Sequence, residues 1–153
     1  MSKHRRAATV GMLGLALSIL WLTMAAKVFT LWAASDELRS LDLLLPVSKQ
    51  MSTLFAVMLE MVAMITIILA RPAFLKGIVA LTVGIEFLWY HGLLSAFGYT
   101  GSCGCIGHAW KWFGMDMKVA SSLSTMLGAT LALLGAAVCW IERKGNAPQH
   151  LLE

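Results

Sequence analysis

Four long apolar stretches constrain the fold of this chain more than any other feature of its sequence. They cover about residues 7–34, 47–70, 74–98 and 119–141. Each is long enough to cross the hydrocarbon core of a bilayer, which takes about 20 mostly apolar residues in a helix. Only 13% of the 153 residues are charged, whereas a soluble domain averages about 25%. The sequence therefore predicts an all-α integral membrane protein, a four-helix bundle that forms one domain over residues 1–153.

Basic residues cluster at the ends of the predicted spans, and their distribution predicts the orientation. On one side of a four-span chain would lie Lys3, Arg5, Arg6, Arg71, Lys76, Arg143 and Lys144. On the other, mixed with acidic residues, would lie Arg39, Lys49, Lys111 and Lys118. Because cytoplasmic loops carry an excess of Lys and Arg, both termini are predicted to be cytoplasmic, in the inner (plasma) membrane of a bacterium. The net charge of +4 is explained by these short clusters, so no nucleic-acid partner is predicted.

Small residues recur at every fourth position in the fourth span. They are Ser124, Gly128, Ala132 and Ala136, and the third span has Ala80 and Gly84 at the same spacing. Small residues on one face of a helix allow another helix to approach closely, which is how membrane bundles pack without a hydrophobic driving force. These faces predict close helix packing within the bundle.

The predicted extracytoplasmic loop over residues 99–117 carries two cysteines one residue apart, Cys103 and Cys105. Disulfides can persist in the periplasm, and neighbouring free thiols in an oxidising compartment are a liability unless they are used. Gly104 between them permits turn conformations that are closed to other residues. A turn there would close a small, strained ring, and strain makes a disulfide easier to reduce. The loop is therefore predicted to carry a reversible redox pair.

The same loop is compatible with two other classes of function. Cys103, Cys105 and His108 could supply soft ligands to copper(I), zinc or mercury, as in a metal-binding or metal-transport protein. No fourth ligand is obvious, because the ten methionines are scattered through the spans as flexible fillers would be. A scaffold that holds soluble partners at the membrane without chemistry of its own is the other alternative. Cys139, near the cytoplasmic end of the fourth span, is predicted to act as a small hydrophobic residue.

Four ionisable residues lie inside the predicted spans: Lys27, Glu60, Glu86 and His91. Such residues are candidates for function because they are costly against lipid. Helix geometry places Lys27 and His91 about 10 Å below the outer surface, and Glu60 and Glu86 about 20 Å and 18 Å below it. Lys27 or His91 is predicted to favour a thiolate at the cysteine pair, with Glu60 as a proton relay or as the counter-ion of Lys27. In the structural alternative, Lys27 snorkels outward and the carboxylates are protonated or paired inside the bundle.

Three of these features form a pattern found in other membrane proteins. They are Lys27 late in the first span, Glu60 inside the second, and Cys-Gly-Cys-Ile-Gly at 103–107 before the fourth. The pattern resembles the MauE branch of the DoxX-like superfamily, which commonly has phenylalanine where this chain has Ile106, and it covers about residues 10–141. The resemblance implies a role in methylamine utilisation. Members of that branch assist formation of the disulfide-rich small subunit of methylamine dehydrogenase, alongside a periplasmic thioredoxin-like protein.

The predicted function is that of a lipid-embedded, multi-pass thiol–disulfide oxidoreductase component. It would exchange through Cys103 and Cys105 with a periplasmic thioredoxin-like partner and a disulfide-containing client. No cofactor is predicted. The outer side has no second thiol pair, so electrons would pass to or from a separate protein or a quinone, and no quinone pocket is identifiable in the sequence. The sequence leaves open which cysteine attacks, the direction of electron flow and the identity of the client.

Overall fold

The structure, a computed structural model, describes residues 3–33, 48–97, 114 and 116–145. In these residues it has four helices: α1 (Lys3–Ala33), α2 (Lys49–Leu69), α3 (Ala73–Ala96) and α4 (Met117–Gly145). All four are long and apolar enough to cross a membrane. The predicted all-α architecture is confirmed, and the four helices form a bundle. The chain is a multi-pass membrane protein by the length and composition of its helices.

The helix ends follow from local chemistry. Ser48 caps α2, since its hydroxyl oxygen accepts a hydrogen bond from the amide of Met51 at 3.3 Å. Pro72 has no amide hydrogen to continue α2, and its carbonyl accepts from the amide of Leu75 at 3.1 Å to begin α3. The Lys76 ammonium then donates to the carbonyl of Ile68 at 3.3 Å. These bonds turn the chain back within three residues, so α2 and α3 lie antiparallel.

Each helix packs against the next one along the chain, and α4 packs against α1. The result is an up-down-up-down bundle in which neighbouring helices are antiparallel. An even number of crossings places residues 3 and 145 on the same side of the membrane. That this side is the cytoplasm stays a prediction. We call the half in which α1 and α3 end, and α2 and α4 begin, the upper half, and the opposite half the lower half.

The contact between α3 and α4 is the most extensive in the bundle, because glycines allow the two backbones to approach. A methyl group added at Gly84 would collide with the backbone of Ala132, and one added at Gly135 would collide with the backbone of Leu81. Small residues that admit a neighbouring backbone are the usual basis of packing between membrane helices. The close packing expected of Gly84 and its neighbours is therefore observed.

The small-residue face of α4 differs from the predicted one at its end. Ser124 and Gly128 are buried as expected, but Ala136 is exposed and Gly135 is buried in its place. A helix turn takes 3.6 residues, so a series spaced by four rotates about 40° around the helix at each step. By the fourth member, the series has left the interface. Spacings that alternate between three and four stay on one face.

Buried side chains differ between the two halves. The main apolar cluster occupies the lower half and the middle of the bundle and consists of Ala16, Leu20, Ala63, Ile67, Ala80, Val83, Phe87 and Leu131. The buried polar side chains of the described residues are Thr9, Thr23, Lys27, Thr30, Thr53, Glu60, His91 and Ser124. Only Thr9 among them lies deep in the lower half. The interior of the bundle is thus apolar at one end and partly polar at the other.

Candidate functional site

The centre of the polar region is an ion pair between α1 and α2. The Lys27 Nζ atom donates to the Glu60 Oε1 atom at 2.5 Å, and the two side chains are only 2% and 0% exposed. Lys27 therefore does not snorkel out of the bundle. Of the alternatives that the sequence offered for these two residues, the structure shows an ion pair inside the bundle.

The Lys27–Glu60 contact differs from the prediction made from helix depths alone, which placed the two residues at different levels in the membrane. The Cα atoms of Lys27 and Glu60 do differ in depth, by about 7 Å when measured from the upper ends of their helices. Side chains, however, lean toward the N-terminus of their own helix. Because α1 and α2 are antiparallel, Lys27 leans toward the lower half and Glu60 toward the upper half. The two directions converge, so the ammonium group of Lys27 meets the carboxylate of Glu60.

Two further residues complete the surroundings of the pair. The Thr23 hydroxyl lies 3.1 Å from Glu60 Oε1 and 3.1 Å from the carbonyl oxygen of Leu20, and its single O–H is shared between these two acceptors. The Lys27 Nζ atom lies 4.8 Å from the centre of the Phe87 ring of α3, within the range of a cation–π interaction. Lys27 therefore contacts both α2 and α3.

The sequence analysis did not select Thr23 or Phe87. Thr23 could have been found, because it precedes Lys27 by four residues and so lies on the same face of α1. Phe87 has no comparable signal: an aromatic residue in a membrane span is ordinary, and only the arrangement of three helices brings its ring over the ammonium group.

The energetics of the pair differ from those of ordinary packing. Each buried ion loses several kcal/mol of hydration, and the attraction between the two ions repays this only when the geometry is good. The short contact with Lys27 and the Thr23 hydroxyl both serve the Oε1 atom of Glu60. Such a pair adds little net stability compared with apolar side chains of the same volume.

His91 lies on the buried face of α3, one turn beyond Phe87 and about 8 Å from the upper end of the helix. Its Nδ1 atom is 3.0 Å from the Phe87 carbonyl oxygen. A carbonyl can only accept, so this contact is a hydrogen bond when Nδ1 carries the proton, and in the neutral ring Nε2 is then the acceptor. A series of contacts therefore links the predicted residues. Lys27 pairs with Glu60 and contacts the Phe87 ring, and the Phe87 carbonyl oxygen contacts His91, which is nearest the upper end.

The predicted redox cysteines Cys103 and Cys105, and His108 of the metal alternative, lie outside the described residues. The chain connectivity still limits where they can be. α3 ends at Ala96 and α4 begins at Met117, so the described residues on either side of this segment both lie at the upper end of the bundle. Cys103 follows Phe97 by six positions, so the Cα atoms of the two residues can be at most about 21 Å apart. In residues 3–33, 48–97 and 116–145, no three His, Cys, Asp or Glu side chains are grouped as a metal site requires.

Cys139 lies in the lower half, away from this cluster. Its Sγ atom is 3.8 Å from the carbonyl oxygen of Phe74, and it packs closely against Gly77. It fills space at the α3–α4 contact, which is the environment of a small packing residue.

Comparison of the chain with family models, with curated proteins and with solved structures finds no match. The resemblance to the MauE branch therefore stays a prediction that depends on Lys27, Glu60 and the motif at 103–107. The described residues establish a charged and hydrogen-bonded cluster, buried in a membrane bundle whose other end has a mostly apolar interior.

Proposed function

We propose that this protein is a MauE-like thiol–disulfide redox component of a bacterial inner membrane. It would use Cys103 and Cys105 to exchange disulfides with a periplasmic thioredoxin-like partner and so assist disulfide formation in a periplasmic client. The observation that supports this most is the position of the Lys27–Glu60 cluster. The cluster lies in the half of the bundle at which the cysteine-bearing segment begins and ends.

The chemistry requires two exchange steps. In one direction, a thiolate of Cys103 or Cys105 attacks a disulfide of the thioredoxin-like partner, forms a mixed disulfide and releases one partner thiolate. The second cysteine then attacks the mixed disulfide, which closes the Cys103–Cys105 bond and releases the second partner thiolate. This chain loses two electrons and the partner gains them. The reverse sequence starts from a partner dithiol and balances in the same way.

The buried cluster refines which residue tunes the thiols. Lys27 was a candidate for favouring a thiolate, but Glu60 is its counter-ion at 2.5 Å, so the two charges largely cancel at a distance. His91 is nearer the upper end of the bundle than either member of the pair, and its Nδ1 atom lies 3.0 Å from the Phe87 carbonyl oxygen. We therefore assign the tuning of the thiols to His91, and to the Lys27–Glu60 pair the role of a neutral, preorganised support.

A redox titration of the purified full-length chain tests the proposal. The protein is equilibrated in glutathione buffers of graded potential, alkylated and weighed by mass spectrometry. We expect two alkyl groups to be lost together as the buffer becomes oxidising, at a single midpoint. Cys139→Ser is the matched control and should keep this two-group transition. If both Cys103 and Cys105 can still be alkylated after equilibration with fully oxidised glutathione, the proposal is wrong.

Trapping distinguishes exchange from the two alternatives. Removing the second cysteine should leave a mixed disulfide unresolved, so Cys103→Ala or Cys105→Ala is expected to accumulate a covalent adduct with a purified thioredoxin-like protein. The double variant is the control and should form none. A scaffold would form no adduct with any variant. A soft-metal protein would instead retain stoichiometric copper, zinc or mercury when purified without chelator, and would lose it in the same single variants.

A further inference from the structure

Basic side chains from two parts of the chain meet at the lower end of the bundle, where α3 begins beside the end of α4. Gly77 is opposite Cys139, since a methyl group added at Gly77 would lie 2.9 Å from the Cys139 Sγ atom. Because the two helices are antiparallel, Arg71 and Lys144 lie at similar levels, about 9 Å and 8 Å below that contact. Arg143 follows Cys139 by one turn and is on the same face of α4. Arg71, Arg143 and Lys144 therefore share one corner of the bundle.

Two lysines at this corner are held by contacts within the protein. The Lys76 Nζ atom lies 3.3 Å from the carbonyl oxygen of Ile68, a contact that uses one of the three N–H groups of the ammonium. The Lys144 Nζ atom lies 4.7 Å from the centre of the Trp140 ring, one turn earlier on α4. Carbonyl groups and aromatic rings are uncharged, so neither contact neutralises a lysine. We call the group the basic corner; it consists of Arg71, Lys76, Arg143 and Lys144.

The basic corner has no counter-ion from the part of the chain that the structure describes. The one ion pair there is Lys27–Glu60, in the other half of the bundle. Glu142 is the only acidic residue described at the lower end. It forms no ion pair with the four cations, and its Oε1 atom is buried without a hydrogen-bond partner among the described residues. Positive charge is therefore in excess at this corner, and an anion from outside the chain would neutralise it.

An exposed apolar surface begins directly beside the basic corner. Phe74 and Ile78 of α3 are 44% and 38% exposed, and Trp140 of α4 is 62% exposed. These side chains lie on the membrane side of the cations, over about 10 Å of helix length. A soluble anion would use the cations alone. A phospholipid would use both surfaces, with its headgroup on the cations and its acyl chains along the apolar side chains.

We propose that the basic corner binds the headgroup phosphate of an anionic phospholipid. Each arginine can donate two parallel N–H groups to phosphate oxygens, and the lysines add positive charge. Basic pockets between membrane helices bind anionic headgroups in this way. An excess of basic residues is common at the cytoplasmic end of a membrane protein, but here two segments bring them to one helix contact without counter-ions. The site is at the opposite end from the proposed thiol chemistry and does not depend on it.

Native mass spectrometry of the full-length protein in detergent, titrated with dioleoylphosphatidylglycerol or dioleoylphosphatidylcholine, tests the site. We expect the anionic lipid to bind about tenfold more tightly than the zwitterionic one. A basic side chain near the membrane surface contributes about fivefold to such binding, so Arg71→Gln with Arg143→Gln should weaken binding of the anionic lipid about twentyfold. Binding of phosphatidylcholine should change little, which controls for folding. Arg71→Lys with Arg143→Lys keeps both charges and should retain most of the affinity.

Arg5→Gln with Arg6→Gln is the matched control, because it removes two exposed charges from the same end of the bundle, on α1. Charges that do not touch the headgroup are screened by salt, so this variant should weaken binding by about twofold at most. Equal weakening by the two glutamine double variants would overturn the proposal, because charge at this end would then act without a site. Equal affinity of the wild type for the two lipids would also overturn it. Displacement of the anionic lipid by inorganic phosphate would show that the cations bind a soluble anion instead.

Discussion

The two halves of the bundle are built on different principles. In the lower half and the middle, α3 and α4 approach through Gly77, Gly84 and Gly135, and the interior is filled by apolar side chains. In the upper half, the interior holds the Lys27–Glu60 pair and further buried polar groups. The lower half is stabilised by close contact, whereas the upper half contains charges that are costly to bury. One region of the bundle therefore depends on close backbone contact, and the other depends on keeping its two buried charges paired.

The largest expected effect comes from breaking the ion pair. Lys27→Met leaves the buried Glu60 without its counter-ion, and we expect about 3–5 kcal/mol less stability. The double variant Lys27→Met with Glu60→Leu should recover most or all of this loss, because apolar pairs often replace buried ion pairs at no cost. Unfolding of the purified protein in mixed micelles measures both. A double variant as unstable as the single one would mean that the pair stabilises the fold.

The close contact between α3 and α4 is expected to be the next most sensitive to substitution. Gly84→Ala places a methyl group against the backbone of Ala132, which cannot move aside as a side chain can. We expect a loss of about 1–3 kcal/mol in the same unfolding measurement. The control is Gly92→Ala on the same helix, where a methyl group meets nothing within 4 Å. That variant should be neutral or slightly more stable, and equal losses would refute the packing argument.

A smaller effect is expected from the Thr23 hydroxyl. Thr23→Val keeps the shape but removes the hydrogen bond to Glu60, and bonds of this kind between membrane helices contribute about 0.6 kcal/mol on average. The control is Thr130→Val on α4, since the Thr130 hydroxyl is exposed and donates to its own helix at Met126. Its loss of stability should be smaller than that of Thr23→Val in the same assay.

The smallest expected effect is on the pH dependence of the reactivity of Cys103 and Cys105. If His91 favours the thiolate, His91→Gln should raise the pH at which Cys103 and Cys105 become reactive, by about half a pH unit or less at this range. The pair Lys27→Met with Glu60→Gln removes one charge of each sign, so it should leave that pH unchanged. Alkylation rates across a pH series measure both. A shift in the double variant and none in His91→Gln would reverse the assignment.

The sequence by itself determined the number of spans and their limits to within a few residues. Crossing a bilayer depends mainly on the length and apolarity of a segment, and both are local properties. α1 begins at Lys3 rather than residue 7, and α4 ends at Gly145 rather than residue 141. The helices continue through basic residues at the lower ends of α1 and α4, where the predicted spans included only the apolar core.

Which residues face inward was decided only by the tertiary structure. Glu60 and Glu86 are both mid-span carboxylates, yet Glu60 is fully buried against Lys27 and Glu86 is exposed. In a soluble protein, an apolar face would have shown the side that turns inward. In a membrane, the lipid is as apolar as the core, so hydropathy does not distinguish the two faces. The rotation of each helix, and with it the meeting of Lys27 and Glu60, is set by close backbone contacts and by the direction of side chains on antiparallel helices.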